Sequence, residues 1–144
     1  MASLFDIDLR EALVHLANLM AAYVLALPLG WNREKQDRSA GLRTFPLVAL
    51  ATCGFVEAAE HSLGHSPEAM ARIIEGLITG IGFIGGGAIL KQSGTVHGTA
   101  TAASLWVTGG IGSAVGLGSY EVAVALMILA FVTLLVLGNE PQRR

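Results

Sequence analysis

Thiols are almost absent from this 144-residue chain: Cys53 is the single cysteine. No internal disulfide can form, and no metal or redox spacing of cysteines exists. Cys53 reads as a small packing residue in a membrane helix. Charge is also scarce, with Asp, Glu, Lys and Arg at 14% of residues against about a quarter in soluble domains. There is no nucleophile–base pair at recognisable spacing, no nucleotide loop and no zinc pattern, so an enzyme is not expected. No cofactor is expected either, and nothing marks a nucleic-acid partner. The net charge of −2 carries little weight, because in a membrane protein the distribution of charge between the two sides matters more than the sum.

Apolar residues fill the space that charge leaves, at 53% of the chain with a mean hydropathy of +0.60. A soluble bundle would need polar outer faces, which these runs largely lack. Met1 to Arg10 is too acidic for the basic leader of a cleavable signal peptide and reads as a polar or amphipathic lead-in. Apolar runs follow at about Glu11 to Trp31, Thr44 to Ala59, Arg72 to Leu90, Thr99 to Gly118 and Val122 to Leu137. Each approaches the roughly 20 residues that span a hydrocarbon core. The chain therefore reads as one domain, 1–144, that is all-α and polytopic, with about five transmembrane helices around a Gly/Ala-rich packed core. His61 to Ala71 reads as a loop, Lys91 to Gly98 as a short polar turn, and no soluble domain is expected after Asn139.

The centre of the pattern is Gly80-Ile81-Gly82-Phe83-Ile84-Gly85-Gly86-Gly87, with five glycines in eight positions. In water each interior glycine costs a helix about 1 kcal/mol relative to alanine. In a bilayer the backbone bonds to itself, and small residues let helices approach closely. Helical spacing places Glu75, Thr79, Gly82 and Gly86 on one stripe and Gly76, Gly80 and Gly87 on a second stripe beside it. That face is wide enough for two neighbouring helices, and Gly82→Leu is expected to break the interface. Gly112 and Gly116 form a small-xxx-small pair suited to close approach, and the third and fourth helices look like a packed hairpin. Alternatively, these glycines only pack the protein's own helices.

Intramembrane polar groups are Asn18, Glu57 and Glu75. Asn18 can hydrogen-bond across to another helix, and His15 reads as an interfacial histidine. Glu75 is either a functional acid or one that reaches water at the interface. Five spans place Arg33, Lys35, Arg38, Arg43, Lys91, Arg143 and Arg144 on one side and only Arg10 and Arg72 on the other. By the retention of Lys and Arg in the cytoplasm, the N-terminus is expected outside and the C-terminus inside. Asp6, Asp8, Glu11, Glu60, Glu68 and Glu121 then collect on the outer rim. On the inner side Glu34 is expected to pair with Arg43, either fixing the first loop or lying solvated beside it.

In order along the chain, Leu29-Gly30-Trp31-Asn32-Arg33-Glu34, Ala40-Gly41-Leu42-Arg43-Thr44, the glycine run from Gly80 to Gly87 and Thr101-Ala102-Ala103-Ser104-Leu105-Trp106 resemble the signature segments of the MgtC/SapB family. Ile84, Gly86 and Gly98 to Thr101 depart from its commoner residues. The resemblance marks Arg33, Glu34, Arg43 and Thr44 as a recurring cytoplasmic charged motif. It implies a bacterial inner-membrane protein linked to magnesium homeostasis and, in pathogens, to virulence through survival inside macrophages. It also implies a short form without the soluble C-terminal domain of longer members. Family members are reported to act on the membrane ATP synthase.

Two functions follow. The first is regulation by helix contact, through the small-residue face formed by Gly76, Gly80, Gly82, Gly86, Gly87, Gly112 and Gly116. Its occupant would be another membrane complex such as ATP synthase or a second copy in a homo-oligomer, with a dimer favoured. The second is a magnesium transporter or channel with Glu57 and Glu75 as candidate ligands, since Mg2+ takes near-octahedral oxygen ligands. Two carboxylates are too few for a dedicated cage, although symmetric pairing would double them.

Overall fold

The computed structural model describes residues 8–36, 40–64, 66–92 and 95–137. They form five helices, α1 (Leu9–Lys35), α2 (Thr44–Leu63), α3 (Pro67–Gly87), α4 (Thr99–Gly116) and α5 (Tyr120–Val136), with a hairpin of β1 (Leu90–Gln92) and β2 (Thr95–His97) between α3 and α4. The five apolar runs thus correspond to five helices. At 1.5 Å per residue, α1 is about 40 Å long, so it exceeds a 30 Å hydrocarbon core by roughly two turns.

Local chemistry sets the helix ends. Asp8 caps α1 by accepting from the Arg10 N–H at 2.9 Å. Ser66 Oγ accepts from the Ala69 N–H at 3.3 Å, and Pro67 opens α3, where its missing N–H goes unneeded. That cap starts α3 one and a half turns before Arg72. The loop expected over 61–71 therefore shrinks to a short link, and His65 within it lies outside the described residues. The expected turn at 91–98 is instead an antiparallel hairpin pairing Leu90 with His97 and Lys91 with Val96. Gly98 joins it to α4 at φ +89°, where an added Cβ would also meet the Ala88 carbonyl oxygen. Only glycine suits both conditions.

The interior belongs to α2 and α4. α4 touches all four other helices, and α2 touches α1, α3 and α4. Ten of the 18 residues of α4 are buried, among them Thr101, Ser104, Leu105, Thr108, Ile111 and Val115. Three buried hydroxyls on these helices bond within their own helix: Thr52 to the Val48 and Ala49 carbonyls, Ser104 to the Thr101 carbonyl, and Thr108 to the Ser104 carbonyl. No polar side chain from elsewhere is needed to satisfy them. α3 is peripheral, burying only Ile81 and Gly85. Length and composition alone mark α1 and α3 as able to cross a bilayer, while α5 is apolar but 17 residues long. Gly, Ser and Thr residues lower the hydropathy of α4, and Glu57, Glu60 and His61 lower that of α2.

Successive helices alternate in direction. One end of the bundle carries Arg33, Lys35, Arg43 and Lys91, and the opposite end carries Asp8, Glu11, Glu60, Glu68 and Glu121 with Arg10 and Arg72. Asp6, Arg38, Arg143 and Arg144, counted in the charge asymmetry, lie outside the described residues.

Candidate functional site

Three features carry functional side chains: a polar cluster toward the acidic end, a tight junction at the basic end, and the open side of α3.

The polar cluster centres on Glu57, which α2 holds at 8% exposure. Its Oε1 accepts from Asn18 Nδ2 of α1 at 2.6 Å, and its Oε2 lies 3.2 Å from His15 Nδ1. Tyr120, the first residue of α5, donates its hydroxyl to Asn18 Oδ1 at 2.6 Å. Three helices are thereby joined through one chain of polar groups. Asn18 lies nine residues into α1, about 14 Å along it, where an unpaired amide in hydrocarbon would cost several kcal/mol. The cluster opens into a cavity of about 500 Å³ whose rim includes Glu11, Glu60 and His61. Asn18 does make the interhelical bond its position suggests. His15, which reads from the sequence as an interfacial histidine, is drawn into the cluster, and Tyr120 is the member that sequence reasoning passed over.

Glu75 does not join this cluster. It is exposed on α3, outside the residues that line the cavity. The expectation that Glu57 and Glu75 form a pair of metal candidates is therefore corrected. Asn18 and His15 engage the first carboxylate, and the second stands on a different face. Among the described residues no group of three or more His, Cys, Asp or Glu side chains is arranged to hold a metal ion.

At the basic end, Glu34 Oε2 accepts the Leu42 backbone N–H at 3.1 Å, and among the described residues it forms no ion pair with Arg43. The expected Glu34–Arg43 pair is replaced because the carboxylate seats on Gly41, where an added Cβ would collide with Glu34 Oε2. The backbone donor next along the chain is then closer than the guanidinium. Gly30 completes the junction, since a Cβ there would stand 3.2 Å from Gly41 O, Leu42 Cα and Phe45 Cβ. Arg33 is 2% exposed and directs Nη2 to Asn32 Oδ1 at 2.9 Å. Thr44 begins α2, its N–H bonded to Gly41 O at 3.0 Å.

The glycines divide into two sets. Gly112 is filled from within, since an added Cβ would strike Thr52 Oγ1 and the Ala49 carbonyl of α2; at Gly116 it would come within 2.9 Å of Val56 Cβ. Gly109 receives Ile81 of α3, and a Cβ added to Gly85 of α3 would stand 3.4 Å from the Ala102 carbonyl oxygen. So α3 and α4 do pack together, but the Gly112–Gly116 pair seats α2. By contrast Gly76, Gly80, Gly82, Gly86 and Gly87 have nothing within 4 Å of an added Cβ. Their neighbour Phe83 is 85% exposed. Gly82 thus takes no part in the chain's own packing, and the open face is confined to α3.

A sequence profile of the MgtC family matches residues 19–141. Protein MgtC of Salmonella typhimurium strain LT2 is 37% identical over 129 residues, covering 90% of this chain and 54% of the relative. Protein SrpB of Synechococcus elongatus is 36% identical over 133 residues, covering 84% and 71%. The putative magnesium transporter YhiD of Escherichia coli K12 is 34% identical over 125 residues, covering 83% and 57%. The chain spans about half the length of the Salmonella relative. No solved structure matches it. A profile that runs through all five helices and relatives at this identity lead to one conclusion: the chain belongs to the MgtC family.

Proposed function

We propose that this chain is a small multi-pass regulatory protein of the bacterial inner membrane, linked to magnesium homeostasis and survival in low magnesium. It acts by helix contact with another membrane complex, for which the ATP synthase is the candidate suggested by the family resemblance. The observation that carries this reading is the stripe of Thr79, Gly82 and Gly86 beside Phe83, which this chain leaves open. In a bilayer no hydrophobic force pushes helices together, so association relies on close backbone approach at small residues. An open glycine stripe with one projecting aromatic suits that contact. The basic end faces the cytoplasm in this reading, with the C-terminus inside.

Magnesium transport is a second reading, favoured by the name of the YhiD relative and by the cavity beside Glu57. Reconstitution into liposomes that contain a magnesium-sensitive dye separates the two. The regulatory reading expects no flux above that of empty liposomes and a loss of low-magnesium growth in Gly82→Leu. Flux abolished by Glu57→Gln would give transport first place.

A further inference from the structure

A second open groove lies on the other side of α3, between it and α2. It encloses about 530 Å³ and is lined by Leu47, Ala51 and Phe55 of α2 and by Gly80, Ile81 and Ile84 of α3, with Arg43 and Thr44 at its basic end. Gly80 and Gly82 are about 200° apart around the helix, so this groove and the Gly82 stripe are distinct surfaces.

We propose that this groove holds one acyl chain of an anionic phospholipid, with the lipid phosphate on Arg43. Three observations support that occupant. The groove is apolar along its length and cationic at one end only, the polarity of a lipid rather than of a helix. From Arg43 to Phe55 is twelve residues of helix, about 18 Å, close to the roughly 15 Å hydrocarbon depth of one leaflet. The cation is available: Glu34 is engaged by the Leu42 N–H, and among the described residues Arg43 makes no hydrogen bond or ion pair. The Thr44 and Phe45 N–H groups both donate to Gly41 O, so recognition falls to the guanidinium, a fork matched to two phosphate oxygens, beside the Thr44 hydroxyl. Arg43 stands among Arg33, Lys35 and Lys91 at the basic end, the level where headgroups lie if the chain spans a bilayer. The proposal rests on that embedding and is independent of any protein partner.

The test uses the whole chain in nanodiscs of equal phosphatidylglycerol and phosphatidylcholine, released into detergent and weighed by native mass spectrometry, with helicity checked by circular dichroism. One bound phosphatidylglycerol is expected, favoured over phosphatidylcholine by about fivefold, the worth of one surface cation toward anionic lipid. Arg43→Gln should abolish the preference and Arg43→Lys should retain part of it. Gly80→Leu, at a position where an added Cβ meets no atom of this chain within 4 Å, should fill the groove and remove the bound lipid. Equal retention of both lipids by the native chain, or unchanged lipid in Gly80→Leu, would overturn the proposal. So would a disulfide between two copies at Gly80→Cys, which would place a second chain in the groove. Loss of lipid with intact low-magnesium growth would separate this site from the regulatory reading.

Discussion

Asn18 and Glu57 meet at 2.6 Å between α1 and α2, with the carboxylate almost fully buried. The bond fixes how two helices that are connected only through the basic end sit at the acidic end. Tyr120, 102 positions along the chain from Asn18, extends it to α5.

Replacing Asn18 by Leu should therefore loosen the acidic end. Interhelical hydrogen bonds in membranes average about 0.6 kcal/mol and reach about 1.7, and the orphaned carboxylate adds a desolvation cost. A loss of about 1–2 kcal/mol is expected in detergent unfolding. In a double-mutant cycle with Glu57→Gln the coupling between the two sites should be at least 0.5 kcal/mol, a threshold set by the scale for contacting residues. Additive losses would show that the bond contributes nothing.

Gly112 and Gly82 should behave in opposite ways. Gly112→Ala drives a methyl group into Thr52 and the Ala49 carbonyl, and overpacking of this kind costs about 1–3 kcal/mol or more. Gly82→Ala meets nothing and should leave stability within about 0.5 kcal/mol of the native chain. Equal losses at both positions, read from thermal unfolding in one detergent, would contradict the division of the glycines into filled and open sets.

Gly41→Ala should displace the Glu34 carboxylate, and Glu34→Ala should leave the Leu42 N–H unpaired. Each should cost about 0.5–1.5 kcal/mol, the net worth of a hydrogen bond that solvent can replace, and the double variant should lose little more than either alone, because both break one contact. Arg43→Gln should cost under 0.5 kcal/mol, as expected for an exposed side chain without an ion pair.

Much of this was legible before any coordinates. Five apolar runs correspond to five helices because interruptions such as Asn32 to Arg43 are too polar to bury. Asn18 was legible as an interhelical donor because an amide amid Leu and Ala must find a partner. Its acceptor was not, since the register of α1 against α2 is set by packing at Gly30 and Gly41. Spacing also showed that Gly112 and Gly116 admit a close neighbour, but i, i+4 geometry does not say which helix arrives, and it is α2. The hairpin at 90–97 was missed because three-residue strands carry little periodicity, although Ser93-Gly94 between Lys91-Gln92 and Thr95-Val96 is a turn signal. Glu34 went to a backbone N–H because charge arithmetic pairs side chains and overlooks the peptide group that Gly41 exposes.

The central claim, that the Gly82 stripe of α3 receives another membrane complex, is tested most directly by a photo-crosslinking amino acid at Phe83 in native membranes. Leu129, on α5 at 68% exposure, serves as the control. The account predicts one discrete membrane complex captured from position 83, absent from position 129 and lost when Gly82 is replaced by Leu. Capture of lipid alone from position 83, or the same proteins from both positions, would contradict it.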